Sequence, residues 1–392
     1  MSQPARKAAT VAPRTRPPFR ADHVGSLLRP AALKAARERF LGPQTPDSNL
    51  GPHDSAELRA VEDQCVREVI ALQEKAGLRA ATDGEFRRRS WWLEMVMTWD
   101  GFAADREGES PFAWRDAAGG KHAFSVLWVN GPIEWRPSAV VRAFKFLKDN
   151  TKLMPKVTMP APCVVHCFAG GDAAIRKGHY KDLDAFWADL TKAYRQEIAA
   201  LVAAGARYIQ LDDVSLPFLC DPQYAPVFNA WGRTPRQQLE EYARRINDVL
   251  EGLPKDVTIT MHQCRGNREG MWAAEGGYDP VAEVMFNQIR VDGYFLEYDT
   301  PRAGSFAPLR FLPKDKVVAL GLVSTKTPVL EPADALKRRI DEAVKHAPLD
   351  RLALATQCGF ASSVGGNPLS EADEFAKLQR IVEVARDVWP DA

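Results

Sequence analysis

Short, mostly apolar runs alternate along this chain with longer runs in which apolar residues recur every three or four positions. The short runs are HVGSLL (23–28), AATDGE (80–85), VTMPAP (157–162), YIQLDD (208–213), TITMHQC (258–264), GYFLEYD (293–299), KVVALGLV (316–323) and LALATQCGF (352–360). Most end in polar or small residues, the pattern of buried parallel strands whose C-terminal ends open onto a site. Residues 55–76 put Leu58, Val61, Cys65, Val69 and Leu72 at helical spacing, with Ser55 as cap and Gly77 as stop. Residues 183–204 repeat the pattern with Leu183, Phe186, Trp187, Leu190, Tyr194, Ile198 and Leu201, ended by Gly205. A last helix starts at Ser370, with Asp373 in the capping position and Phe375, Leu378, Val382 and Ala385 on one face. Residues 234–252 and 331–346 also read as helices.

Strands alternating with helices imply βαβ units and a parallel sheet. About eight units favour a closed (β/α)8 TIM barrel over an open doubly wound sheet. No GxGxxG follows the first strand, against the dinucleotide-binding alternative. Residues 101–155 break the rhythm; FSVLWVNGPIEW (124–135) alternates around an Asn-Gly turn signal, and a β-hairpin insertion is expected there. The first 18 residues, basic, acid-free and proline-rich, are expected to form a flexible or surface-wrapping tail, with residues 19–392 as the barrel.

Composition narrows the classes. The 392 residues carry 52 Lys+Arg against 51 Asp+Glu, which gives no support to a nucleic acid partner. No run of eighteen apolar residues predicts a membrane span. Six scattered cysteines make no disulfide framework and read as reduced thiols of a cytoplasmic protein.

Chemistry concentrates at predicted strand ends. His262 and Cys264 stand two apart, so both side chains point to one face and reach one metal. Glu297 and Cys358, at two other strand ends, are the candidates to complete a tetrahedral zinc site, because barrel strand ends converge on one mouth. The same His-x-Cys also fits a core histidine beside a core cysteine. Cys163, His166 and Cys167 form a rival cluster, for which a buried apolar strand with one hydrogen-bonded histidine is the favoured reading. Asp83, Glu85, Asp212 and Asp213 fit the holding of a substrate ammonium, acid–base work, helix capping or pairing with Arg87–Arg89. Of Trp91, Trp92 and Trp99, one could line a pocket for a planar substrate, with ordinary packing as the alternative.

Six strings in order, HVGSLLRP, DGE, YIQLDD, MHQC, FLEYD and TQCGF, resemble the catalytic C-terminal barrel of the cobalamin-independent methionine synthases over roughly residues 19–390. The resemblance implies a zinc-containing barrel that alkylates a thiol, with Zn2+ on His262, Cys264, Glu297 and Cys358 and Glu297 as the ligand expected to give way to the acceptor's sulfur. It implies that Ser26, Glu85 and Asp212 hold the amino-acid part of homocysteine, and that 5-methyltetrahydrofolate is the donor. The partners are then a small-molecule thiol and a methyl or alkyl donor. There are departures. The N-terminal barrel of the full-length synthases has no counterpart in these residues, Asp213 is not equivalent to the family's residue, and the strand that carries a catalytic histidine reads ALGLVSTKT, with Ser324 or Thr325 near that place. The group also includes alkyl–coenzyme M transferases, so an epoxide-opening transfer to coenzyme M, served by Arg265, Arg268 or Arg302, is the alternative enzyme. A zinc- or amino-acid-binding barrel is the non-enzymatic alternative.

Overall fold

The computed structural model describes residues 14–43, 53, 55–103, 110–122, 127–168, 170–171 and 179–392. Its centre is an eight-stranded parallel sheet. The strands are β1 (Ala21–Asp22), β2 (Ala80–Ala81), β3 (Met154–Pro160), β4 (Tyr208–Asp213), β5 (Thr258–Gln263), β6 (Gly293–Glu297), β7 (Val317–Val323) and β8 (Leu352–Thr356). They pair in the order β1-β8-β7-β6-β5-β4-β3-β2, so β1 and β2 are the open ends of a nearly closed barrel. Two bonds bridge that seam: Thr82 Oγ1 donates to Gly25 O at 2.6 Å and Leu27 N donates to Gly84 O at 3.1 Å.

The expected strands 23–28 and 80–85 are corrected by this seam. The chain leaves extended geometry almost at once, because Gly25, Gly84 and Glu85 all take positive φ. A side chain on Gly25 would meet Thr158 Cγ2 at 2.6 Å, so only glycine lets this turn lie against β3. The loops that follow β1 and β2 therefore cross the mouth of the barrel and do not extend its wall.

The helices follow their sequence signals. Ser55 Oγ accepts from Leu58 N at the start of Ala56–Ala76, and Gly77 ends it in the left-handed conformation. Ser370 and Asp373 form a reciprocal capping box at the start of Glu371–Val388. Pro162–Phe168 is a short helix, not the strand expected from its apolar character. Among the described residues no helix is long and apolar enough to cross a membrane.

The lower barrel interior is polar and paired. Lys156 Nζ lies 3.3 Å from Asp22 Oδ1 with both side chains fully buried, and Tyr208 donates to Asp22 Oδ2 at 2.7 Å. Below it, Arg14 N donates to Asp391 Oδ2 at 2.8 Å, which holds residues 14–18 under the barrel; residues 1–13 of the expected tail lie outside the described residues.

The insertion differs from expectation. Residues 124–126 lie outside the described residues, but Asn130-Gly131 makes no turn: Trp128–Glu134 runs through it as one strand, antiparallel to Asp100–Ala103. The register shifts there, and Gly101 sits so close to Pro132 O that a Cβ would stand 2.5 Å from it. The Asn-Gly pair thus serves a bulge where two backbones approach. The hairpin of the insertion is a shorter one, Trp114–Arg115 with Lys121–His122.

Candidate active site at the barrel mouth

The C-terminal ends of β4, β5 and β8 and the loops after β1 and β2 line a cavity that opens to solvent. On its floor His262, the last but one residue of β5, and Cys264 and Cys358, just past β5 and β8, bring one ligand atom each within 4.8 Å of one another. Cys358 Sγ lies 3.7 Å from Cys264 Sγ. Two thiolates on one tetrahedral zinc, each at about 2.3 Å, stand about 3.8 Å apart. The soft donor set and its spacing therefore fit zinc.

His262 Nδ1 faces Asp212 Oδ1 at 3.4 Å, and Nε2 lies 3.3 Å from Gln357 O. Burial opposes its charge, but the bonds to Asp212 and Cys358 outweigh burial and push it up to about 10. Burial also opposes a Cys358 thiolate; the hydrogen bond from Cys264 and the neighbouring His262 outweigh it and hold this thiol well below the usual range, while Cys264 keeps the shared proton and is pushed well above.

Glu297, at the end of β6, is fully buried. Tyr278 fixes it: the hydroxyl donates to Gln263 O at 2.8 Å and accepts from Glu297 N at 3.0 Å, tying β5 to β6. Glu297 Oε2 accepts from Arg265 N at 2.7 Å. Oε1 has no hydrogen-bond partner, and Arg302 stands 3.9 Å from it. Glu297 lies outside the tight group of three, with one buried oxygen still unsatisfied.

Ser26, Glu85 and Asp212 line the cavity together with His262, Cys264 and Cys358. Glu85 is held at φ 60° on the loop after β2, and Thr158 Oγ1 donates to its Oε1 at 2.6 Å; Oε2 is buried without a partner. Asp212 Oδ1 also accepts from Gln210 Nε2 at 2.7 Å. Asp213 is a capping residue: Ser215 N and Leu216 N both donate to it at 3.1 Å. Asp83 likewise turns inward on its own loop, accepting from Glu85 N at 2.9 Å.

Burial pushes the Glu85 carboxyl up to about 7, Asp212 adding to the shift and Arg88 and Thr158 opposing it. Its folded value lies above the ordinary value of 4.5, so the stability it confers is full below that pH and is lost as pH rises through 7. Denaturant titrations at pH 5 and pH 8 are expected to show wild type losing up to about 3 kcal/mol more than Glu85→Gln across that interval. Equal losses would show that Glu85 ionises with its ordinary value.

The aromatic walls come from distant segments. Trp91 meets Phe168 edge-on at 6.0 Å, and Trp114 of the insertion lies opposite Gly266, where a Cβ would stand 2.7 Å from its ring. Arg115 docks this hairpin on the mouth: its N donates to Trp272 O at 2.7 Å and its guanidinium to Asp221 Oδ2, also at 2.7 Å. Trp92 and Trp99 belong to the core, as ordinary packing predicts, whereas Trp91 lines the cavity. Sequence reasoning missed Trp114, Phe168 and Asn267; no periodicity marks them, and the one local signal is the glycine at 266.

The remaining cysteines do other work. In the rival cluster His166 Nδ1 bonds Tyr242 Oη at 3.0 Å, Cys163 donates to Tyr242 O, and burial pushes Cys163 and Cys167 well up. Among the described residues only His262, Cys264 and Cys358 group as metal ligands do. The arginines also differ from the alternative's needs. Arg265 turns away to Gly276 O and the Tyr278 ring, Arg302 lies over Trp272, and Arg268 lines an adjoining pocket that shares Trp91, Trp114, Phe168, Asn267 and Ser362 with this cavity; among the described residues no Lys or Arg lines the cavity itself.

Residues 48–387 match the family described as the cobalamin-independent synthase catalytic domain. The chain is 39% identical to the Bacillus subtilis protein YxjH over 377 residues, 95% of each chain. It is 25% identical to a methionine synthase of Saccharolobus solfataricus, covering 85% of this chain and 86% of the relative. The solved structure of a Listeria monocytogenes protein, provisionally described as a vitamin-B12-independent methionine synthase, superposes with a TM-score of 0.72 at 34% identity, covering 95% of this chain and 98% of the other.

Proposed function

We propose that this chain, which belongs to the cobalamin-independent methionine synthase family through its catalytic domain, is a zinc-dependent thiol methyltransferase that converts homocysteine to methionine. Methyl transfer is the chemistry of that family, and this chain is a methyltransferase by the same membership. The observation that carries the finer reading is the cavity floor: a His/Cys/Cys group with its sulfurs 3.7 Å apart, directly beside two carboxylates with unsatisfied or exposed capacity.

His262, Cys264, Cys358 and Glu297 are the residues that would hold the metal, Glu297 through its unpartnered Oε1. When bound, zinc supplies the Lewis acidity that makes a thiol a thiolate at neutral pH. The chain's own groups do the rest. Glu85 and Asp212 hold the acceptor's ammonium, Ser26 and nearby backbone N–H groups its carboxylate, and Asp212 also orients the His262 ring. Phe168, Trp91 and Trp114 exclude water while the carbon–sulfur bond forms and the methyl's bond to its carrier breaks. An epoxide-opening transfer to a thiol sulfonate fits less well, since it would set a fixed anion among Glu85, Asp212 and Asp213 in a cavity that, among the described residues, no Lys or Arg lines, Arg268 standing in the adjoining pocket.

The donor reading is tested by rate. Transfer from 5-methyltetrahydrofolate requires a proton for the leaving nitrogen. Thr325 Oγ1 donates to Gln357 Oε1 at 2.9 Å, and neither it nor Ser324 lines the cavity. General-acid assistance is worth about 10²–10⁴-fold. Methionine formation, followed by mass spectrometry with a labelled methyl group, is expected to be slow from monoglutamyl methylfolate and faster from a methylated sulfonium, whose leaving group departs unaided. Folate turnover at an ordinary rate, on the order of 10 s⁻¹, would sink this part of the reading, and no methionine from any donor would sink the whole.

A further inference from the structure

Two of the three close metal-ligating side chains, Cys264 and Cys358, come from different strand ends, and their spacing depends on what joins those ends. One buried side chain joins them directly. Asn267, three residues past Cys264, donates from Nδ2 to Gly359 O, next to Cys358, at 2.7 Å. The same Nδ2 lies 3.4 Å from Thr325 Oγ1 on the loop after β7. Asn267 Oδ1 is held in turn by Lys326, whose Nζ donates to it at 3.2 Å and to Gly266 O at 2.8 Å. Lys326 is buried, unlike most lysines, and the carboxylate of Asp299 stands within its electrostatic reach.

Two thiolates and Glu297 place three negative charges against one divalent cation, and the acceptor's thiolate would add a fourth. Lys326 Nζ reaches Gly266 O, two residues past Cys264, and through Asn267 the carbonyl of Gly359 beside Cys358. It is also the first cation after β7, in the strand where the resemblance led to a search for a proton donor. Its Nζ is committed to Gly266 and Asn267, and it does not line the cavity.

We propose that Lys326 and Asn267 form a brace that sets the separation of the two sulfurs, making them positioning residues for the metal. The inference rests on the zinc reading above. Side chains that orient ligands without touching the metal typically change its affinity about 10–100-fold.

The test is zinc affinity, measured on purified full-length protein by competition with a chromogenic chelator, with no substrate present. Lys326→Met and Asn267→Ala are each expected to weaken zinc by about 10–100-fold, and the double variant by little more than the worse single one, because the two act as a unit. Cobalt-substituted protein should show a displaced thiolate-to-metal charge-transfer band, while heat unfolding of the metal-free protein stays unchanged; a merely structural role would move the latter and not the former. Affinities within about twofold of wild type would overturn the brace and leave the zinc reading standing. Wild type that takes up no zinc would overturn both. If Lys326→Met does not fold, Asn267→Ala decides by the same criteria.

Discussion

Replacing Cys358 or Cys264 by serine is expected to strip the protein of zinc and abolish methyl transfer while leaving the barrel folded. The two sulfurs supply half of a four-ligand set, and a serine hydroxyl, with a pKa far above neutral, does not replace a thiolate. The loss should exceed the about 10–100-fold that changes around the ligands produce. Stability should move little: both cysteines belong to the main apolar cluster, but serine removes no carbon and leaves the packing around them nearly unchanged. The main apolar cluster runs from Trp92 to Trp389 through the helices and the outer faces of the strands, and Lys156 with Asp22 fills the lower interior. Cys264 and Cys358 sit past the ends of β5 and β8, where the backbone ladder is already complete. Elemental analysis should give about one zinc per wild-type chain and almost none per variant, with matching circular dichroism and heat unfolding. A zinc-free double variant that still makes methionine would end the metal hypothesis.

Glu85→Gln should separate the acceptor's ammonium from its sulfur. Glu85 Oε2 is buried with no partner, so the ionised carboxylate is complete only when a cation meets it. Removing one member of a buried charge pair costs about 3–5 kcal/mol, which corresponds to a fall in kcat/KM for homocysteine of about 10²–10⁴-fold. For 4-mercaptobutanoate, which keeps the thiol and carboxylate but lacks the amino group, the same variant should lose little. Asp212→Asn is expected to behave differently. Its Oδ1 faces His262 Nδ1 at 3.4 Å, so it should harm both acceptors and lower zinc content as well. If Glu85→Gln depresses the two thiols equally, Glu85 serves the loop after β2 and not the substrate.

Much of this was legible along the chain because local rules govern it. The helices over 56–76, 183–203, 235–250 and 371–388 follow apolar spacing and caps such as Ser55 and the Ser370–Asp373 pair, which act within one turn. Strands β3–β8 follow from apolar runs that a parallel sheet buries on both faces. His262, Cys264 and Cys358 could be brought together without coordinates, since barrel strand ends face one mouth. Other features depend on distant partners. β1 and β2 are only two residues long because the loops after them must cross the mouth, and Gly25 can do so only by lying against Thr158. Asn130-Gly131 carries a hairpin's local signal, yet the approach of Gly101 makes it a bulge. The paired Asp residues of β4 read alike in sequence; a helix start claims Asp213, and the neighbouring β5 leaves Asp212 facing His262. Trp114 and Lys326 reach the site from an insertion and from the loop after β7, and no spacing records them. Local periodicity determined the elements and the order of the ligands; closure of the barrel decided which polar groups meet, because those contacts are made between segments far apart in sequence, 95 residues for His262 with Gln357 and 186 for Tyr208 with Asp22.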